Sequence, residues 1–289
     1  VEPLFDPDLV VRNRERAFDA GDTGAGFLLD IVAQELTERL AVVERQFETA
    51  VELHGMDGRV GRACLETGRI DQLQRVETSS RFARQGDTLI PGPIEHLPLG
   101  EQSANLLLSP LALHLANDMP GLLIQMRRSL QPDGLLLAAL PGAGTLGELR
   151  DVLLTTEIEI SGGASPRVMP FADVRDMGAL LQRAGFALPV VDVETYTVRY
   201  DGILALMRDL KAMGMANPLA ARSRKPLTRQ FFLRAAELYA ERYSDADGRI
   251  RASFSIIYMS GWAPHESQPK PLKPGSAKIR LADALGGKP

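Results

Sequence analysis

Apolar positions recur along this chain at two spacings. In "FLLDIVAQELTERLAVV" the residues Leu28, Ile31, Val32, Leu36 and Leu40 fall three or four apart, which predicts a helix over 27–45. Residues 9–19 read the same way. Shorter apolar stretches predict strands at "TAVEL" (49–53), "QLQRVE" (72–77) and "DTLI" (87–90). "ANLLLS" (104–109) and "LLLAALP" (135–141) are nearly continuous apolar runs, the pattern of strands covered on both faces. A short helix over 59–67 separates the first two strands, and "MPGLLIQMRRSL" (119–130) separates the last two. "QPDG" carries proline second and glycine fourth, which predicts a turn.

The first 141 residues therefore alternate strand and helix. That alternation predicts an α/β fold: a Rossmann-like, mostly parallel sheet with helices on both faces and right-handed crossovers. Ligands of such sheets sit at the carboxyl ends of the strands. The turns after Leu53, Glu77, Ile90 and Ser109 would open there. The second half differs. "TLGELRDVLLTTEIEI", "FADVRDMGALLQRAGF", "DGILALMRDLKAMG" and "TRQFFLRAAELYAERY" read as helices, the second closed by Gly185. "PVVDVETYTVRY" alternates as a strand with one wet face, and "ASFSIIYMSGW" (252–262) is a last strand. The expected organisation is one domain over 1–263. It comprises N-terminal helices (1–46), a cofactor-binding core (47–141) and helical insertions with the final strands (142–263). An extended Pro/Lys/Gly-rich tail follows at 264–289.

Charge and composition narrow the classes. The net charge of −4 argues against a general nucleic-acid binder, which needs a basic surface. The single cysteine, Cys64, excludes an intramolecular disulfide and a cysteine-based zinc site, and reads as a small buried hydrophobe on a helix. No apolar run reaches the ~18–20 residues of a membrane span. The closest, "LLIQMRRSLQPDGLLLAAL", is broken by Arg127, Arg128, Pro132, Asp133 and Gly134. The opening residues lack the apolar core of a signal peptide. The expectation is a cytoplasmic protein without an integral membrane segment.

Candidate chemistry begins at "TAVELHGMDGRVG" (49–61), a strand ending on Glu52 and Leu53, then a turn, then a helix. Cofactor turns use glycine because some positions need positive φ and because the backbone must approach the ligand closely. Here His54 and Met56 stand at two such positions, with Gly55 between them and Gly58 kept. A plain βα turn and a cofactor loop both satisfy this string. Glu77 ends the second strand, 25 residues after Glu52, where an acid can accept hydrogen bonds from both ribose hydroxyls. The four histidines, His54, His96, His114 and His265, have no metal-pair spacing, so no metal site is expected. His114 follows the fourth strand and is placed to face a cleft. "GGASPRVMPF" (162–171), with Ser165 and Arg167, reads as a substrate loop or a connector. "ARSRKPLTR" (221–229) reads as a solvated basic run or a docking face.

The order of elements resembles the class I S-adenosylmethionine-dependent methyltransferases, with their seven-stranded sheet. The strings "LFDPDL", "LHLANDMP", "QPDG", "GTLGELR", "GGASPRVMPF", "LMRDLKAMG", "DADGR" and "PHESQ" resemble one branch across nearly the whole chain. That branch is the methyltransferase-fold arginine hydroxylases of respiratory complex I assembly, in their bacterial form. The malonyl-acyl-carrier-protein methyltransferases of biotin synthesis are a more distant likeness. The resemblance implies S-adenosylmethionine as cofactor. It aligns Glu52 with the acid before the loop, His54 and Met56 with its first two glycines and Gly58 with the third. Glu77, followed by Thr78, takes the ribose position. "PIEHLPL" takes the adenine-contacting position through Ile94 and Glu95, with Pro93 replacing an aspartate. Ser109 matches the serine closing the fourth strand, and Asn105 replaces an acid at that strand's start. The loop is a degenerate form of the family's.

Three functions follow. The first is an S-adenosylmethionine-dependent enzyme acting on a protein client, a complex I subunit near the quinone site, by arginine hydroxylation or methyl transfer. His114, Glu148, Arg150, Ser165 and Arg167 are its substrate-side candidates; the catalytic residues are unassigned. The second is a non-catalytic assembly factor that keeps the fold and has lost the cofactor. The third is a small-molecule methyltransferase. The client implies transient visits to the inner face of the membrane.

Overall fold

The computed structural model describes residues 2–21 and 24–269. Most of the predicted tail, with Lys270, Lys273 and Lys278, lies outside the described residues. One seven-stranded sheet organises the rest, in the order β3-β2-β1-β4-β5-β7-β6. The strands are β1 (Phe47–Leu53), β2 (Ile70–Glu77), β3 (Leu89–Pro91), β4 (Ala104–Pro110), β5 (Leu130–Pro141), β6 (Ala187–Tyr200) and β7 (Ile250–Trp262). β1 to β5 run parallel, and β7 inserts antiparallel between β5 and β6. The chain order reverses between β1 and β4. That topological switch point opens a crevice at the carboxyl ends of the strands.

The helices are α1 (Pro7–Asp19), α2 (Phe27–Ala41), α3 (Arg59–Glu66), α4 (Met119–Ser129), α5 (Gly147–Ser161), α6 (Val174–Arg183), α7 (Ile203–Ala212) and α8 (Arg229–Tyr243). α2 and α3 bury Val32, Leu36, Leu40, Val60 and Cys64 with Leu106, Leu108 and Tyr258 of the sheet. α4 and α6 bury Leu122, Leu123, Met126, Met177 and Leu181 with Val51, Leu107 and Leu136. A third cluster joins α5, α7 and α8 through Leu149, Val152, Leu206, Ala235 and Tyr239. Cys64 is the buried hydrophobe expected; loss of hydration pushes its thiol up to about 11.

Two details differ from the sequence reading. α2 stops at Ala41, short of residue 45. "QPDG" does not separate a helix from a strand: β5 already begins at Leu130. Ala104 pairs with Leu130 while Leu106 pairs with Leu135, so these four residues bulge out of a continuous strand, with Asp133 at φ 62°. Asp133 is held there by Arg45 and by Gln268 Nε2, at 2.9 Å from the latter. Turn chemistry is correct there, but the ladder resumes on the same strand.

Candidate cofactor site

β1 and β2 lie in register, Glu52 beside Arg75 and Leu53 beside Val76. Glu52, Arg75 and Glu77 are buried to 0, 1 and 0 % exposure. Three ionic groups without water require mutual pairing. Arg75 Nε donates to Glu52 Oε2 at 3.0 Å, and its Nη2 donates to Glu77 Oε1 at 3.2 Å. Arg75 also pairs with Asp87 and donates to the carbonyls of Phe82 (3.1 Å) and Met56 (3.0 Å). Burial opposes the Arg75 charge, but the three carboxylates around it raise its pKa. Burial also pushes Glu52 up to about 7 against the pull of Arg75.

The loop folds onto this network. His54, Met56 and Gly58 have φ of 57°, 63° and 74°. Two non-glycine residues thus hold left-handed backbone at roughly 1–2 kcal/mol each. The Met56 N–H donates to Glu77 Oε1 at 2.6 Å while its carbonyl accepts from Arg75, which fixes the peptide groups on both sides of Met56. A β-carbon on Gly55 would collide with the Glu52 carboxylate, and one on Gly58 would lie 2.7 Å from Arg75 Nε. Gly55 is therefore kept for close approach and Gly58 for both close approach and φ. The Gly61 N–H at the start of α3 donates to Glu52 Oε1 at 3.0 Å.

Above the loop, Arg14 reaches down from α1. Its Nη2 donates to the His54 carbonyl at 2.6 Å and stands 3.6 Å from Glu77 Oε2. Among the described residues, Glu77 Oε2, Arg14 Nε, both ring nitrogens of His54, Thr78 Oγ1, Ser109 Oγ and His114 Nδ1 have no hydrogen-bond partner. Burial and, secondarily, Arg14 push both His54 and His114 down to about 3, so both rings are neutral. Burial raises Glu77 above its ordinary value, with Arg14 and Arg75 pulling the other way.

Two cavities are lined by neighbours of Glu77. One of about 150 Å³ is lined by Arg14, His54, Gly55, Met56, Arg59 and His114, among others. The other, about 380 Å³, is lined by Val10, Val11, Thr78, Gly92, Ile94 and Glu95, among others. Of the sequence-predicted cofactor positions, His54, Gly55 and Met56 line the first cavity and Thr78, Ile94 and Glu95 the second, while Glu52, Gly58, Glu77 and Ser109 line neither. Glu95 is also engaged structurally, accepting from the N–H groups of Asn117 (2.6 Å) and Asp118 (3.2 Å) ahead of α4.

S-adenosylmethionine is an amino acid and an adenine joined through ribose. The two cavities and the partnerless polar atoms fit its two ends. The residues fit those two ends, and Arg14 Nη2 stands 3.6 Å from the free oxygen of Glu77.

The substrate-side candidates do not form one constellation. His114 lines the cavity beside His54. Glu148 accepts from Ser253, from its N–H at 3.2 Å and also from its hydroxyl at 2.5 Å, tying α5 to β7. Arg167 and the Ser165 N–H both bind Glu157, so the 162–171 segment is pinned to α5. Arg150 donates to the Met169 carbonyl at 3.1 Å and lines a separate open groove with Gly144 and Phe171. Phe171 links the two regions: its ring centroid lies 6.3 Å from that of His114 and 6.0 Å from the Arg150 guanidinium. The sequence reading missed Arg75 and Arg14. Arg75 carried a signal, since it lies two residues before Glu77 in a strand and so shares its face. Arg14 carried none, being one of four arginines in "VVRNRERAFDAGDTGAGFLLDIVAQELTER".

Comparison with known proteins bears on family and fold. The sequence profile of the methyltransferase domain covers residues 59–138, beginning on the first residue of α3, just past the altered loop. Arginine-hydroxylase NDUFAF5, mitochondrial, of Danio rerio is 37% identical over 288 residues, 97% of this chain and 89% of its own. The Homo sapiens protein of that name is 36% identical over 289 residues, 97% and 83% respectively. Malonyl-[acyl-carrier protein] O-methyltransferase of Xylella fastidiosa is 35% identical over 271 residues, 90% and 89%. Among solved structures, YcgJ of Bacillus subtilis superposes with a TM-score of 0.56 at 12% identity, covering 80% of this chain and 99% of its own. BH2331 of Bacillus halodurans, assigned as a methyltransferase, gives 0.55 at 14%, covering 80% and 98%. The chain has the Rossmann-like methyltransferase fold and belongs to the family of methyltransferase-fold proteins that contains the arginine hydroxylase NDUFAF5.

Proposed function

We propose that this protein binds S-adenosylmethionine and acts on an arginine of a protein client in respiratory complex I assembly. Identity sustained along nearly the full length of an arginine hydroxylase carries this reading. The cavities lined by His54, Gly55 and Met56 and by Thr78, Ile94 and Glu95 support it. Glu77 would accept hydrogen bonds from ribose hydroxyls, Thr78, Ile94 and Glu95 would border the adenine, and the loop from His54 to Gly58 would border the amino-acid end. When bound, the cofactor would supply an electrophilic methyl group, which serves the methyl-transfer form of this reading; the hydroxylation form would need an oxygen-derived oxidant besides. This chain's own contribution is binding and alignment, which carry most of the rate gain in such transfers. His114 and His54, neutral and desolvated, can accept a hydrogen bond at a ring nitrogen. The client subunit near the quinone site, and work at the inner face of the membrane, belong to this proposal. Among the described residues no helix is long and apolar enough to cross a membrane.

One observation favours a second reading, a non-catalytic assembly factor. Glu77 is wholly buried and already paired within the chain. Calorimetric titration of the full chain with S-adenosylmethionine and S-adenosylhomocysteine separates the two. Micromolar binding that disappears in Glu77→Gln is expected. No uptake up to millimolar ligand by a folded sample would sink the cofactor reading. For the client, mass spectrometry of complex I arginines in cells lacking the protein should show a modification lost, and restored by the wild-type chain.

A further inference from the structure

Glu77 presents its two oxygens unequally. Oε1 is saturated, accepting from Met56 N–H at 2.6 Å and from Arg75 at 3.2 Å. Oε2 has no hydrogen bond and faces only Arg14 Nη2, at 3.6 Å, beyond ordinary hydrogen-bond reach. Arg14 is 6 % exposed, its Nε is unpartnered among the described residues, and its Nη2 donates to the His54 carbonyl. This is a buried ion pair in poor geometry, a contact that costs desolvation without recovering full hydrogen-bond energy. It also stands at a particular place. α1 brings Arg14 to Glu77 and gives Val10 and Val11 to one cavity and Arg14, Ala17 and Phe18 to the other. Along α1, Arg14 stands between the two valines and the pair Ala17 and Phe18, and it lines the cavity that holds that pair.

We infer that Arg14 is the gate of the ribose position. In the free chain its guanidinium occupies the open oxygen of Glu77 and divides one elongated site into two cavities. A nucleoside enters by taking that oxygen with its hydroxyls, and Arg14 withdraws with α1. Arg75 is the fixed partner of Glu77 and Arg14 the exchangeable one. The gate lowers apparent affinity by the fraction of molecules in which it is open, and a variant without the cation removes that loss. This inference rests on the cofactor reading.

The test is calorimetric titration of the full chain and of Arg14→Met with adenosine and with S-adenosylhomocysteine. Methionine keeps an apolar stem and removes the charge. Adenosine lacks the amino-acid end and so reports the ribose and adenine positions alone. Arg14→Met should bind adenosine roughly tenfold more tightly than the wild type, the gain expected if the gate stands open in about a tenth of molecules. Adenosine affinity unchanged or weakened in a folded variant would overturn the gate while leaving the cofactor reading intact. If neither folded protein takes up either ligand, the cofactor reading falls and the gate falls with it. A crystal structure of the wild-type chain with S-adenosylhomocysteine decides the matter independently of the variant's folding. Arg14 should then lie away from Glu77, with ribose hydroxyls on Oε2; Arg14 still against Oε2 with ligand bound would overturn the inference.

Discussion

Arg75 is the residue on which the site's two acids depend. It neutralises Glu52 and Glu77 in a place without water, and it holds the Met56 carbonyl as well. Replacing one partner of such a buried cluster leaves uncompensated charge, at a cost of about 3–5 kcal/mol. Arg75→Met should therefore lose stability of that order in urea denaturation, and a loss under 1 kcal/mol would contradict the assignment. The neutral histidines give a second expectation. Their folded pKa values of about 3 lie below the ordinary 6.5. Between those values the unfolded chain takes up protons that the folded chain refuses. Stability is thus present above pH 6.5 and is lost as pH falls toward 3, by about 1.4 kcal/mol per pH unit and histidine. His114→Asn should lose less stability than the wild type between pH 7.5 and 5.5; equal losses would mean that His114 charges freely in the folded chain. At this scale the sequence was legible where chemistry follows position, as at Glu77 ending β2. It was not legible for Arg14, because which helix arginine turns inward depends on packing between α1 and the sheet.

Elements were easier to read than their terminal residues and their contacts. The switch of apolar period located every strand and helix, because burial on one face or two imposes that period. The bulge in β5 was missed because turn chemistry at Gln131–Gly134 is local, whereas resumption of the ladder at Leu135 depends on β4. The loop after β1 was legible as altered, but not as closed. That closure comes from Arg75 on the neighbouring strand. The substrate-side set shows the same limit. Density of Glu148, Arg150, Ser165 and Arg167 in sequence suggested a site, but Glu148 and Glu157 spend their oxygens joining α5 to β7 and to the 162–171 segment. Glu148→Ala should accordingly lower the melting temperature by a few degrees, the effect of losing ~1–3 kcal/mol of charge-assisted hydrogen bonding. Its S-adenosylhomocysteine affinity should match the wild type's. A tenfold fall in affinity at unchanged stability would return Glu148 to the binding machinery.

At the scale of the whole molecule, the three apolar clusters share one sheet. β7 lies between β5 and β6, so its residues pack with the cluster under α2 and α3, with that under α4 and α6, and with that of α5, α7 and α8. Separating the amino-terminal core from the later helices would tear the β5–β7 ladder, which runs from Leu135–Trp262 to Pro141–Ile256. The expected thermal unfolding is therefore one cooperative transition. Trp262, the only tryptophan, sits on β7 and reports the sheet by fluorescence, while far-ultraviolet circular dichroism reports mainly the helices. Their midpoints should coincide. A ligand bound only by the folded chain moves a single transition as a whole. S-adenosylhomocysteine at 100 times its dissociation constant adds about 2.7 kcal/mol, or roughly 5 °C for a chain of this size. Both probes should shift by that amount together, and neither should shift in Glu77→Gln. Two separated midpoints, with the ligand moving only one, would mean that the later helices fold apart from the site and that the 1–263 unit is not a single domain.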